Sequence, residues 1–189
     1  MKALIAILTL TGLLTATVLH DVALASGTDT NQELVKRGAY LVGYGGCNDC
    51  HTPKLVTPKG PEPDPNRLLS GHPSSETLPE IPRGIIGPEK WGALTNNDLT
   101  AWVGPWGVSF AANLTPDIRT GLGGWTEELF IKTMRTGKHL GVGREILPPM
   151  PWYTLAVLTD GDLGAIFAYL GSIEPIENEV PQPVSPQMQ

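Results

Sequence analysis

The chain has 189 residues, of which 22 are Gly and 18 Pro. That is about one residue in five, against roughly 12% in an average protein, and it excludes a long coiled coil. Hydrophobic residues make up 41% and charged ones 17%, so the chain is too apolar and too weakly charged to be disordered throughout. Thirteen basic against 19 acidic residues (net charge −6) exclude the basic footprint of a nucleic-acid binder, and two cysteines cannot staple a disulfide-rich scaffold.

In chain order, Met1-Lys2 and an apolar run to Leu19 precede Ala23-Leu24-Ala25, a small-x-small cleavage pattern. Residues 1–25 are therefore expected to be a secretory signal peptide, which places the chain in a periplasm. If the segment is retained, it becomes an N-terminal anchor instead. No later segment is apolar enough to span a membrane. The expected domain is 26–172, followed by a Pro-rich, extended or disordered tail over 173–189.

Asn31 to Tyr44 predicts a helix, with Val35, Ala39 and Val42 on one face. Gly38 interrupts it and leaves room for another helix to approach. Pro53 to Gly107 holds ten prolines and Trp91, Trp102 and Trp106, a spacing that forbids long helices. An ordered, loop-rich wrap is expected there. Thr126 is a good N-cap, followed by Leu129, Phe130, Thr133 and Met134 on one helical face and a stop at Gly137. Thr159 and Asp162 make a capping pattern for a last helix that carries Leu163, Ile166, Phe167 and Leu170 and ends at Gly171.

Cys47-Asn48-Asp49-Cys50-His51 is the haem-attachment pattern C-x-x-C-H. Two thiols one helical turn apart can add to the two vinyl groups of one haem, and the next residue offers an imidazole to the iron. A thiol oxidoreductase would show a βαβ pattern around its C-x-x-C, and none precedes Cys47. A zinc site needs more ligands than one cysteine pair and scattered His.

The iron has a sixth position. Met150, in Leu147-Pro148-Pro149-Met150-Pro151, is the favoured donor because the prolines fix the path of its loop. His139, Met134, Met188 and His72 are weaker candidates. Met134 lies on an apolar helix face, where a core role is expected. An open sixth position, as in a haem enzyme or a gas- or peroxide-binding protein, is the alternative. Arg135, Lys138 and Arg144 are candidates to pair with haem propionates, and Asn113 for a propionate bond or a turn. The backbone acceptor for the other ring nitrogen of His51 is expected among the prolines that follow it.

These residues resemble a class I c-type cytochrome, and more closely the cytochrome c modules in the haem subunits of periplasmic dehydrogenases. The resemblance rests on three blocks. The first is Arg37-Gly-Ala-Tyr-Leu-Val with the haem motif and Thr52-Pro53. The second is Asn113-Leu-Thr-Pro-Asp117 with Thr120-Gly-Leu-Gly-Gly-Trp-Thr126 and Arg135-Thr-Gly137. The third is Leu147-Pro-Pro-Met-Pro151 with Leu158-Thr-Asp-Gly-Asp-Leu163 and Ala168-Tyr-Leu170. It implies an all-α cytochrome c-like fold, with short helices wrapped around one covalent haem c held by Cys47 and Cys50. It also implies His51 and Met150 as axial ligands, and crossed first and last helices in which Gly38 and Tyr40 meet Phe167 and Tyr169. The expected function is single-electron transfer between redox protein partners, as a carrier or a dehydrogenase subunit, with no catalysis of its own. The long insert between Pro53 and Asn113 departs from the pattern.

Overall fold

The structure is a computed structural model and describes residues 30–186. The segment expected to be a signal peptide, 1–25, and Met188 lie outside the described residues. Helix α1 spans residues 30–44. It is followed by α2 (Cys47–His51), β1 (Lys54–Thr57), β2 (Gly60–Pro63), β3 (Leu94–Thr95), β4 (Ala101–Gly104) and β5 (Gly107–Phe110). Then come α3 (Glu127–Thr136), a 3-10 turn at His139–Gly141, α4 (Trp152–Leu155) and α5 (Asp160–Ser172). No helix among the described residues is long and apolar enough to cross a membrane.

The caps foreseen in the sequence form. Thr126 accepts a hydrogen bond from the Leu129 N–H at the start of α3, and Thr159 accepts one from the Asp162 N–H at the start of α5. Gly137 ends α3 in the left-handed conformation (φ 64°), and its N–H donates to the Thr133 carbonyl. Helix α5 runs one residue past Gly171, to Ser172.

The core is helical. Val42 from α1, Phe130 and Met134 from α3, and Leu163, Ile166 and Leu170 from α5 are buried together with Leu69 and Leu122. Helices α1 and α5 cross in van der Waals contact. A Cβ on Gly38 would sit 1.9 Å from the Ala165 carbonyl oxygen and 2.7 Å from the Tyr169 Cβ. Tyr40, expected at that crossing, is instead exposed and stacked on Tyr44, with ring centroids 6.2 Å apart.

The insert corrects the all-α expectation. Its prolines do forbid helices, but several sit where β-hairpins accept them. β1 and β2 pair antiparallel around Pro58-Lys59, and β4 and β5 pair around Pro105-Trp106. β3 adds to β4 to make a three-stranded sheet. Gly60 (φ 111°) and Gly107 (φ 94°) supply the positive φ that closes each turn.

The tail beyond α5 is extended and tied down. Val184 exchanges two backbone hydrogen bonds with Val108 of β5, at 2.8 and 3.0 Å. The Ile176 carbonyl accepts from the Asn113 and Thr115 side chains. Asn178, only 4% exposed, donates to the carbonyls of Ser70 (2.7 Å) and His72 (2.8 Å) and accepts from the Ser74 N–H (3.0 Å).

Gly38→Ala should gain helix propensity yet lose about 1–3 kcal/mol net, because the methyl meets backbone rather than a movable side chain. Asn178→Ala should cost about 2–3 kcal/mol by leaving two buried carbonyls and a backbone donor without partners. Chemical denaturation midpoints check both.

Candidate haem-binding site

Gly46 begins the site by adopting φ 64°, which turns the chain from α1 into the one-turn helix α2. That helix carries Cys47, Cys50 and His51. Both thiols are free, and burial pushes both above the ordinary cysteine pKa. Cys47 packs against the helical core. Lys54 closes the C-terminal end of α2: its ammonium donates to the carbonyls of Asn48 (3.1 Å), Asp49 (3.0 Å) and Thr52.

His51 is buried, and its Nδ1 lies 2.8 Å from the Ala112 carbonyl oxygen. A carbonyl only accepts, so Nδ1 carries the proton and Nε2 keeps its lone pair. Burial also pushes the imidazole below its ordinary pKa of 6.5, against the Ala112 bond that raises it. The side chain is thus held neutral, in the tautomer that can bind a metal through Nε2. The acceptor is not one of the prolines after His51. It is a residue 61 positions further on, just before the Asn113-Leu-Thr-Pro block.

The backbone around His51 is held as firmly. The Gly71 N–H donates to the His51 carbonyl (2.8 Å), and the Leu69 N–H to the Thr52 hydroxyl (2.8 Å). The same 69–72 segment pairs with 111–114 on its other side, through His72 N–H to Ala111 (2.9 Å) and Leu114 N–H to Leu69 (2.8 Å). Gly71 (φ 79°) has no space for a side chain here. A Cβ would lie 2.5–2.7 Å from the Ala111 and Ala112 backbone.

Met150 is half-buried, in a loop fixed on both sides. Before it, the Ser109 hydroxyl of β5 donates to the Pro148 carbonyl (2.6 Å) and accepts from the Trp106 indole (3.1 Å). After it, the Trp152 ring lies flush on Gly137, where a Cβ would come within 2.5 Å of the ring. Ser109 and Ala112 are three residues apart, about 10 Å of extended chain. One segment therefore carries the support for the Met150 loop at one end and the support for His51 at the other.

The other candidates meet other neighbours. Met134 is a core residue, 8% exposed. His139 is exposed and edge-on to Trp125 (5.6 Å). His72 is fully buried beneath Phe110 (4.9 Å). Arg135 is engaged by Asp160 (2.5 Å) and the Ala156 carbonyl. Asn113 has a structural part, bonding Thr120, Ile176 and the Thr115 N–H. Arg144 lines a groove of about 290 Å³ with Trp106, Leu147 and Val184. Among the described residues no group of three or more His, Cys, Asp or Glu could hold a metal ion. The chemistry of the donor set fits a haem: two thiols one turn apart, a neutral imidazole with its Nε2 free, and a braced thioether loop.

No protein-family model matches the chain. Its relatives among characterised proteins include cytochrome c subunits of dehydrogenases, and the module it shares with them is a cytochrome c module. The cytochrome c subunit of gluconate 2-dehydrogenase from Pantoea cypripedii is 28% identical over 178 residues, 90% of this chain and 32% of that protein. The cytochrome c subunit of the quinone alcohol dehydrogenase from Gluconobacter oxydans is 28% identical over 160 residues, 83% of this chain and 26% of that protein. The cytochrome subunit of fructose dehydrogenase from Gluconobacter japonicus is 32% identical over 79 residues, 41% of this chain and 16% of that protein. The chain thus spans a third or less of the length of these relatives.

Ser109→Ala should free the Pro148 carbonyl and strand the Trp106 indole, at about 1–2 kcal/mol of stability. Denaturation followed by tryptophan fluorescence measures the loss.

Proposed function

We propose that this chain is a single-electron carrier of the class I cytochrome c type, acting as the haem-bearing module of a dehydrogenase complex in the periplasm. The observation that carries the reading is His51: buried, neutral, and turned by the Ala112 carbonyl so that Nε2 is the available donor. Cys47 and Cys50, one turn apart on the same helix, are proposed to hold the haem as thioethers. Met150 is the proposed sixth ligand, supported by the anchoring of its loop at Pro148 and Trp152.

When bound, the haem supplies one-electron chemistry at an iron whose potential His/Met ligation raises. The protein's part is to hold both donors still. The His51 ring is fixed by bonds to its side chain and its backbone, so little rearrangement accompanies a change of charge. Met150 would occupy the small ligands' point of entry and so exclude them, which would suit a carrier rather than a substrate-binding site. The similarity to dehydrogenase subunits supports a catalytic dehydrogenase subunit as electron donor. The net charge of −6 favours a partner with a basic or largely apolar docking face.

The absorption spectrum of the purified protein tests the reading. A haem resistant to acid-acetone extraction, low-spin, with a methionine–ferric band and unmoved by carbon monoxide over minutes, is expected. In Met150→Ala that band should vanish and carbon monoxide should bind at once. Extractable haem, or an unchanged spectrum in the variant, contradicts the assignment.

A further inference from the structure

Among the described residues one buried side-chain polar atom has no hydrogen-bond partner, the Nε2 of His72. The residue is 0% exposed. Its Nδ1 is 2.9 Å from the Thr100 hydroxyl, a group that can donate or accept. In either neutral tautomer, Nε2 is left without a partner.

A carboxylate is held beside this ring. Asn96 accepts from the N–H groups of Thr100 and Ala101 (both 2.9 Å) and donates to the Thr100 hydroxyl (3.1 Å). Its remaining donor bond goes to Glu76 (3.0 Å), whose other oxygen lies 3.8 Å from His72 Nδ1. The Glu76 side chain is 29% exposed, so it reaches water while the imidazole does not. Glu76 and Asp98 favour a protonated ring, and burial and Arg67 oppose it. The remaining neighbours are uncharged: Phe110 of β5, Thr100, and Asn178 of the tail on the His72 carbonyl.

His72 is also one residue removed from His51 by two main-chain routes. Its N–H donates to Ala111, next to the Ala112 carbonyl that receives the His51 Nδ1–H. Its neighbour Gly71 donates to the His51 carbonyl.

We propose that His72 is a proton-binding site coupled to the redox state of the His51 site: its proton affinity rises when that site gains an electron, so that it takes up a fraction of a proton, and falls again when the electron leaves. The inference rests on the haem reading above. The electron comes from the redox partner, or from an electrode. The proton comes from water by way of the Glu76 carboxylate, and an N–H bond forms at Nδ1, the ring nitrogen that Glu76 faces, while Nε2 keeps its own hydrogen. The proton taken up offsets part of the negative charge that enters. In a protein interior, a unit charge at roughly 10 Å changes proton affinity about tenfold.

The sign follows from these groups. Reduction removes positive charge, so the reduced protein binds the proton more tightly. Burial, the largest influence, holds His72 below the ordinary histidine value, so coupling falls below about pH 6.5. The midpoint potential should decline with rising pH in that window and be level on either side.

The test uses the haem-loaded protein. Its midpoint potential is measured against pH by electrochemistry, and the His72 ring proton is titrated by NMR in the oxidised and reduced states. The two titration midpoints should differ by about tenfold in proton affinity, one pH unit, and the potential should slope between them. His72→Asn should flatten the slope while the low-spin spectrum is retained. Glu76→Gln, which keeps the imidazole, should move the slope to lower pH. A level potential in haem-loaded wild type, equal His72 midpoints in the two states, or a slope unmoved in Glu76→Gln overturns the assignment of His72 alone. A purified chain without haem overturns the functional reading and this inference together.

Discussion

The hydrogen bond from His51 Nδ1 to the Ala112 carbonyl is the constraint on which the rest of the site depends. It fixes the tautomer, orients the ring and satisfies the polar atom that would otherwise be buried unpaired. To make it, the chain must bring residue 112 against residue 51. The Gly71 position, with no room for a side chain, lets the 69–72 segment lie between the two backbones and bond to both. The His51 imidazole is thereby held by a layered stack of main chain rather than by side-chain packing alone.

The insert and the tail extend the same logic. Sheet β3–β4–β5 delivers the 111–114 segment at a set height, and β5 also presents Ser109 to the Met150 loop. The tail crosses over this assembly, pairing with Val108 at one point and placing Asn178 against Ser70 and His72 at another. The helical core holds α1, α3 and α5 together. The non-helical half positions His51 and the Met150 loop, and a small number of buried polar side chains tie its segments together: Thr52, Asn96, Thr100, Asn113 and Asn178.

Much of this was legible in the residues because it is local. C-x-x-C-H places two thiols and an imidazole on one helical turn in any fold that makes the turn helical. The caps at Thr126 and Thr159 and the stop at Gly137 depend on neighbours within four positions. Gly38 announced the helix crossing through the absence of a side chain. The carbonyl that orients His51 carries no side-chain signature, so a backbone acceptor 61 residues away could not be read. The strands of the insert were hidden by their prolines, which argue against helix without saying that Pro58 and Pro105 sit in hairpin turns. His72, a loop residue between Gly71 and Pro73 in the sequence, becomes a fully buried ring only because Thr100, Phe110 and Asn178 arrive from distant segments.

The Asn178 bonds span 104 to 108 positions of chain. Contacts of such separation close late, since the intervening loop must first lose its entropy. A polypeptide emerging from its amino end presents Cys47–His51 long before the segments that back it exist. On the reading proposed here, this order of assembly is useful. The cysteines would stay open to modification while the motif is still a loose turn, and the 176–178 segment, which follows it in the chain, would seal the backing afterwards.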